Sequence, residues 1–90
     1  MLKEEIIEAF QIANIELYQN DNPHKALDIL KYLERSLSEL SRSAEDPFFT
    51  DAYIKILAQI GNVYIGCLQP QEGESYLLEA RKYCRNLLNK

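Results

Sequence analysis

The stretch DPFFTDAYIKILAQIGNVYIGCL, Asp46 to Leu68, carries more apolar residues than one face of a helix can present. Its polar residues after the first turn reduce to a thin strip, Asp51, Lys55, Gln59 and Asn62, spaced by three or four positions and so aligned on one side of a helix. A helix that is apolar around most of its circumference needs neighbours on at least two sides. The rest of the chain is therefore expected to pack around this one. Pro47 suits a first helical turn, where its missing N–H costs nothing, and Asp46 before it is placed to cap.

The remaining segments read as helices of more ordinary pattern. The first spans about Leu2 to Tyr18, with Ile6, Phe10, Ala13 and Leu17 on its main buried face and Ile7, Ile12 and Ile15 off it. Breakers at Gln19 to Asn22 end it, and Pro23 opens a second helix capped by Asn22. That helix carries the seam Ala26, Leu30, Leu33, Leu37 and Leu40 and ends near Arg42, and Ser41 to Glu45 reads as the loosest segment. The central helix closes at Gln69. A fourth, Pro70 to about Leu88, repeats the seam with Gly73, Leu77, Ala80, Cys84 and Leu87. No alternation of period two persists, so the expected fold class is all-α, with four antiparallel helices in a single domain over 1–90.

Composition narrows the class further. At 90 residues with 47% hydrophobic and 27% charged content, the chain has the make-up of a globular domain and not of a disordered one. The net charge of -4 disfavours nucleic acid as a partner, because such binding depends on clustered Lys and Arg. Arg81, Lys82, Arg85 and Lys90 read instead as compensation of the last helix's negative end. No apolar run approaches the roughly 20 residues of a membrane span, and MLKEEIIEAF lacks the basic start of a secretory signal. The chain thus reads as cytoplasmic, with no membrane partner. Cys67 and Cys84 fall about four helical turns apart in register, too far for a bridge, and read as buried thiols in a reducing compartment.

Pro70 lies 47 positions after Pro23, and the same shift superimposes the two halves. Ala26 falls on Gly73, Leu30 on Leu77, Leu33 on Ala80, Phe10 on Leu57, Ala13 on Ile60, Asn14 on Gly61 and Leu17 on Tyr64. Two copies of one helical hairpin explain this pattern: repeat one over about 2–42, a linker at 43–46, and repeat two over about 47–89. The second copy has a large residue (Leu57), a bulky and small pair (Ile60, Gly61), an aromatic (Tyr64), a small residue after the turn (Gly73), then Leu77 and Ala80. In this it resembles the tetratricopeptide repeat family. The expected arrangement is two stacked hairpins in which Gly61 and Gly73 let antiparallel helices approach closely. The spacing exceeds the family's usual figure of about 34 residues, so the hairpins are longer or the connection is an insertion.

Little in the chain suggests reaction chemistry. His24, the sole histidine, has no nucleophile in fixed relation to it and reads as a surface residue. One histidine and two separated cysteines make no metal set, and no cofactor motif is present. Glu4, Glu5, Glu8 and Glu16 read as a solvated face, since a diiron helix needs Glu-x-x-His partners that the chain lacks. What remains is surface. The resemblance implies a groove lined by the first helix of each hairpin, which places Glu8, Gln11, Ile15 and Tyr18 opposite Lys55, Ala58, Asn62 and Ile65. That mixture suits a protein or peptide ligand. Ile15 and Ile65 alternatively pack against each other in the core. A second face, Tyr76, Leu78, Tyr83 and Leu88 on the last helix, lies off the seam and is expected to mediate self-association as a homodimer. The expectation is a non-enzymatic interaction module, the alternative being a dimeric four-helix-bundle regulator or chaperone that covers a partner's apolar helix.

Overall fold

The computed structural model describes residues 2–67 and 70–88, and within them the side chains of Cys67, Pro70, Tyr83, Cys84, Asn86, Leu87 and Leu88 lie outside the described set. Four helices follow one another: α1 (Lys3–Tyr18), α2 (Pro23–Ser43), α3 (Pro47–Cys67) and α4 (Pro70–Leu88). No strand occurs among the described residues. Each of the three prolines opens a helix, because its fixed φ fits the first turn and its missing donor has no partner there in any case. The Asn22 side chain accepts the Lys25 N–H at 3.3 Å, and the Asp46 carboxylate accepts the Phe48 N–H at 2.9 Å. Both caps therefore act as their positions suggest. Between α1 and α2 the chain turns through Asp21, whose φ of 49° is left-handed, a region Asp tolerates better than branched residues.

The α2–α3 connection is shorter than its composition implies. Ser41, Arg42 and Ser43 belong to α2, leaving only residues 44–46 between the helices. The cause is local: the Ser41 hydroxyl donates to the Ser38 carbonyl, the Ser43 hydroxyl to the Glu39 carbonyl, and Arg42 Nε to the Ser38 carbonyl at 3.0 Å. These side-chain bonds fold back onto carbonyls already inside the helix, so the polar groups of Ser41, Arg42 and Ser43 find partners without leaving it. From the other side, Lys3 of α1 forms an ion pair with Asp46 and lies over the Phe48 ring, which ties the connection to the first helix.

Helix α3 is the centre of the molecule. Tyr53, Ile54, Ile56, Leu57, Ile60, Val63 and Tyr64 are all buried, joined by Leu27, Leu30, Leu33 and Leu37 of α2, Ile6 of α1 and Ala80 of α4. Each large side chain buried here stabilises the fold by about 1.5–3 kcal/mol before the entropy of ordering is counted. The extensive interfaces join consecutive helices: α1 with α2, α2 with α3 and α3 with α4. Gly61 and Gly73 mark a close approach of α3 and α4, since a Cβ on Gly73 would stand 2.6 Å from the Gly61 carbonyl oxygen. The equivalent positions in the first hairpin are Asn14 and Ala26, and Ala26 is fully buried.

The molecule measures 38 × 28 × 16 Å. Helix axes about 8–10 Å apart and a Cα radius of about 2.3 Å account for two layers across the thin direction. A closed square bundle would be equally thin in a second direction. The second dimension of 28 Å shows instead an open slab, two hairpins side by side. Helices α1 and α3 lie in one layer, with their N-termini at the same end. Lys3 meets Asp46 and Phe48, and further along Asn14 and Tyr18 meet Gln59.

Candidate functional site

The layer formed by α1 and α3 contains a cleft of about 230 Å³. Its floor and walls are apolar: Ile6, Ile7 and Phe10 from α1, and Phe48, Ala52 and Ile56 from α3. Gln11, Asp51 and Lys55 supply a polar rim. The Lys3–Asp46 ion pair lies at the N-terminal end of the two helices. Further along, Gln59 bridges them, its Nε2 donating to the Asn14 Oδ1 at 3.1 Å and to the Tyr18 hydroxyl at 3.2 Å. The shift that superimposes the hairpins sets Asn14 against Gly61, and the large residue is accommodated because it faces α3 and accepts this bond. Small-molecule pockets usually measure about 300–1,000 Å³. At about 230 Å³ this cleft is smaller, about the size of one large side chain.

Of the four α1 residues expected in the groove, only Gln11 lines the cleft. Glu8 is exposed, Ile15 is 43% exposed and Tyr18 is 72% exposed. On α3, Lys55 lines the cleft, Ala58 is half-buried, and Asn62 and Ile65 are exposed. Ile15 and Ile65 are not core partners: both are more than two-fifths exposed, and Ile65 leans toward α4, where its Cγ1 is 2.5 Å from the point a Gly73 Cβ would occupy. Lys55 is engaged, its ammonium 3.0 Å from the Asp51 carboxylate one turn earlier. Sequence reasoning did not pick out Ile7, Phe10, Phe48, Ala52 and Ile56 as the cleft itself. The available signal was Ile7, an isoleucine off the buried face and one turn before Gln11.

The face expected on α4 is differently disposed. Leu78 is 62% exposed, whereas Tyr76 is half-buried and stacks on Tyr64 at 5.7 Å between centroids with planes 13° apart. Tyr83 and Leu88 fall outside the described side chains. Lys31 of α2 extends over the Tyr64 ring, 5.3 Å from its centroid. Hydrogen bonding with Tyr64 holds the Lys31 ammonium above its ordinary pKa. Burial raises Glu34, and the charge of Glu79 adds to it. Burial likewise raises the Tyr76 phenol, with Glu34 nearby. This cluster joins α2, α3 and α4.

His24 is exposed, and among the described residues no group of three His, Cys, Asp or Glu side chains is placed to hold a metal ion. No helix among them is long and apolar enough to cross a membrane. No family model matches the chain, and no curated protein or solved structure gives a significant match.

Proposed function

We propose that the chain is a non-enzymatic interaction module of tetratricopeptide-like type, which binds a protein or peptide segment across the α1/α3 layer and associates with itself through α4. The observation that carries this reading is the cleft between α1 and α3, apolar within and lined in part by exposed Ile7, with Ile15 and Tyr18 exposed further along α1. Its size suits a side chain of a larger ligand, and the backbone of both helices is already paired, so recognition rests on side chains. The open slab favours this over a closed bundle that covers a partner's helix, because the layer is accessible as it stands. Self-association rests on Leu78 alone among the described residues of the α4 face. The cytoplasmic setting remains part of this proposal, and its support is the sequence register that separates Cys67 from Cys84.

The test is selection from an unbiased displayed peptide library, followed by counter-selection on Ala52→Leu, which fills the cleft while adding only apolar volume. Enriched sequences should lose binding to the filled variant. Enrichment that survives Ala52→Leu, or no enrichment at all, would reject the reading. Light scattering across a dilution series, with Leu78→Ser as the comparison, tests the association: a mass that falls to the monomer on substitution is expected, and a wild-type monomer at all concentrations removes that part.

A further inference from the structure

We infer that the occupant of the α1/α3 cleft is a basic amphipathic helix, a deepening that rests on the reading above. The argument begins with charge. Two cations border the cleft, and each is already neutralised: Lys3 pairs with Asp46, and Lys55 pairs with Asp51 at 3.0 Å. Along α1, Glu4, Glu5 and Glu8 have no ion-pair partner among the described residues, and no basic residue follows Lys3 on this helix. Glu4 and Glu8 are one turn apart on the side of α1 that carries Gln11 and Ile15. A ligand seated here meets uncompensated negative charge beside apolar surface. An acidic segment, or a chain-terminal carboxylate, finds no free cation to receive it.

The conformation follows from hydrogen bonding. The surfaces of α1 and α3 present side chains, while their main-chain groups are consumed within each helix. An extended segment laid on them would leave its own N–H and C=O groups without partners wherever water is excluded. A helix satisfies its backbone internally and presents only side chains. From Lys3 to Asn14 the cleft side of α1 runs about 16 Å at 1.5 Å per residue, the length of three helical turns. One apolar side chain enters the cleft between Phe10 and Ile56, and others at helical spacing reach Ile15 and Tyr18. Lysines or arginines flanking that stripe face Glu4 and Glu8.

A second copy of this chain is the less suitable occupant. Its α4 does carry exposed Arg81, Lys82 and Arg85, but Leu78 is the sole large apolar residue exposed there among the described residues, and Glu74 interrupts the basic face. One anchor does not cover both the cleft and the stripe.

The experiment uses fluorescence anisotropy with three synthetic helices of about four turns: leucines on one face flanked by lysines, the same with glutamates for lysines, and the lysine form with glutamines for leucines. The first should bind at least tenfold tighter than either other, which is about 1.4 kcal/mol, and the gap over the glutamate form should narrow as salt is raised. The exposed pair Glu4→Lys and Glu8→Lys should reverse the preference between lysine and glutamate forms, and Ala52→Leu should abolish binding of the first. Far-UV circular dichroism establishes that each variant is folded. Equal or tighter binding of the glutamate form overturns the inference but spares the reading above, provided Ala52→Leu still removes it. Equal binding of the glutamine form, or no binding of any form, overturns it too, and the library selection then decides the wider reading. A dimer dissociated both by Ala52→Leu and by Arg81→Glu with Lys82→Glu would put a second copy in the cleft and overturn it.

Discussion

Replacement of Gly73 by alanine probes the close approach of α4 to α3. The new Cβ would lie 2.5 Å from Ile65 Cγ1, 2.6 Å from the Gly61 carbonyl oxygen and 3.1 Å from the Ile65 backbone nitrogen. Ordinary contact begins at 3.4 Å, so the Gly61 oxygen is about 0.8 Å too close. That atom is main chain of α3 and has no rotamer to escape into. Helix α4 must therefore shift away, loosening Leu77 and Tyr76 against α3. Overpacking of this kind costs about 1–3 kcal/mol, and the strain against two backbone atoms puts it toward the upper end. Alanine's better helix propensity returns about 1 kcal/mol. The expected net loss is about 1–2 kcal/mol, or a fall in Tm of about 5–15 °C for a domain of this size. Gly66→Ala is the control with opposite sign: nothing lies within 4 Å of its added Cβ, so only the propensity gain remains, reduced near the helix end to about 0.5 kcal/mol. Thermal and urea melts of the two variants read both signs. A Gly73→Ala protein that melts at or above the parent would refute the close-approach argument.

Leu57 is completely buried, and Leu57→Ala should cost about 2–5 kcal/mol, a large part of the roughly 5–13 kcal/mol expected for a chain this long; the urea midpoint measures it. Gln59→Ala removes both bridging hydrogen bonds between α1 and α3 and should lower stability by about 1 kcal/mol while broadening the Tyr18 ring signals in NMR. Lys31 and Tyr76 both have folded pKa values raised above their ordinary 10.5 and 10.0, so the folded state holds protons the unfolded state releases. Their contribution is complete below about pH 10 and falls as pH rises through the raised values, and Lys31→Met should flatten the alkaline end of a stability profile. Glu34 is raised above its ordinary 4.5, so its ionisation opposes folding as pH rises through that window; Glu34→Gln should stabilise the protein at neutral pH, with the gain gone below about pH 4.5.

The helix boundaries were open to sequence reasoning because Pro23, Pro47 and Pro70 each begin a helix, and Asn22 and Asp46 sit where a cap must. The prominence of α3 was equally open, since a helix apolar on most sides has no stable exposed arrangement. Ser41 to Ser43 misled, because serines favour loops on average, and the back-bonds to the Ser38 and Glu39 carbonyls that satisfy their hydroxyls form only once the helix continues through them. Tyr76 was set on the outer face by periodicity alone. Its angular position borders the seam, and the partner that draws it inward, Tyr64, belongs to another helix. Of the expected groove residues only Gln11 and Lys55 line the cleft, because the polar strip of α3 and the off-face residues of α1 are local patterns. Where along the layer a cleft opens is not local, because it depends on how far α1 stands from α3 at each level. Ala52 leaves room near the N-terminal ends, while the Gln59 bridge ties the helices further on.

Helix α1 is the element that should be most sensitive to a partner. Of its residues only Ile6 and Ala13 are buried, while Ile7, Ile12, Ile15 and Tyr18 are among the large apolar side chains most exposed in the molecule. In stacked helical arrays such a face is covered by the next repeat, and terminal units carry a polar outer side instead. This α1 is not polar in that way, so its adhesion to the slab rests mainly on α2, and it should open more readily than α3. A ligand helix seated against α1 and α3 would cover that face. By mass action, saturation at a hundredfold excess over Kd adds about 2.7 kcal/mol to every opening that releases the ligand. Amide hydrogen exchange should therefore slow in α1 and the N-terminal half of α3 when the lysine-flanked peptide is present, with smaller changes in α4. Uniform slowing in all four helices would show one cooperative unit, and slowing confined to α4 would place the binding surface on the opposite side of the slab.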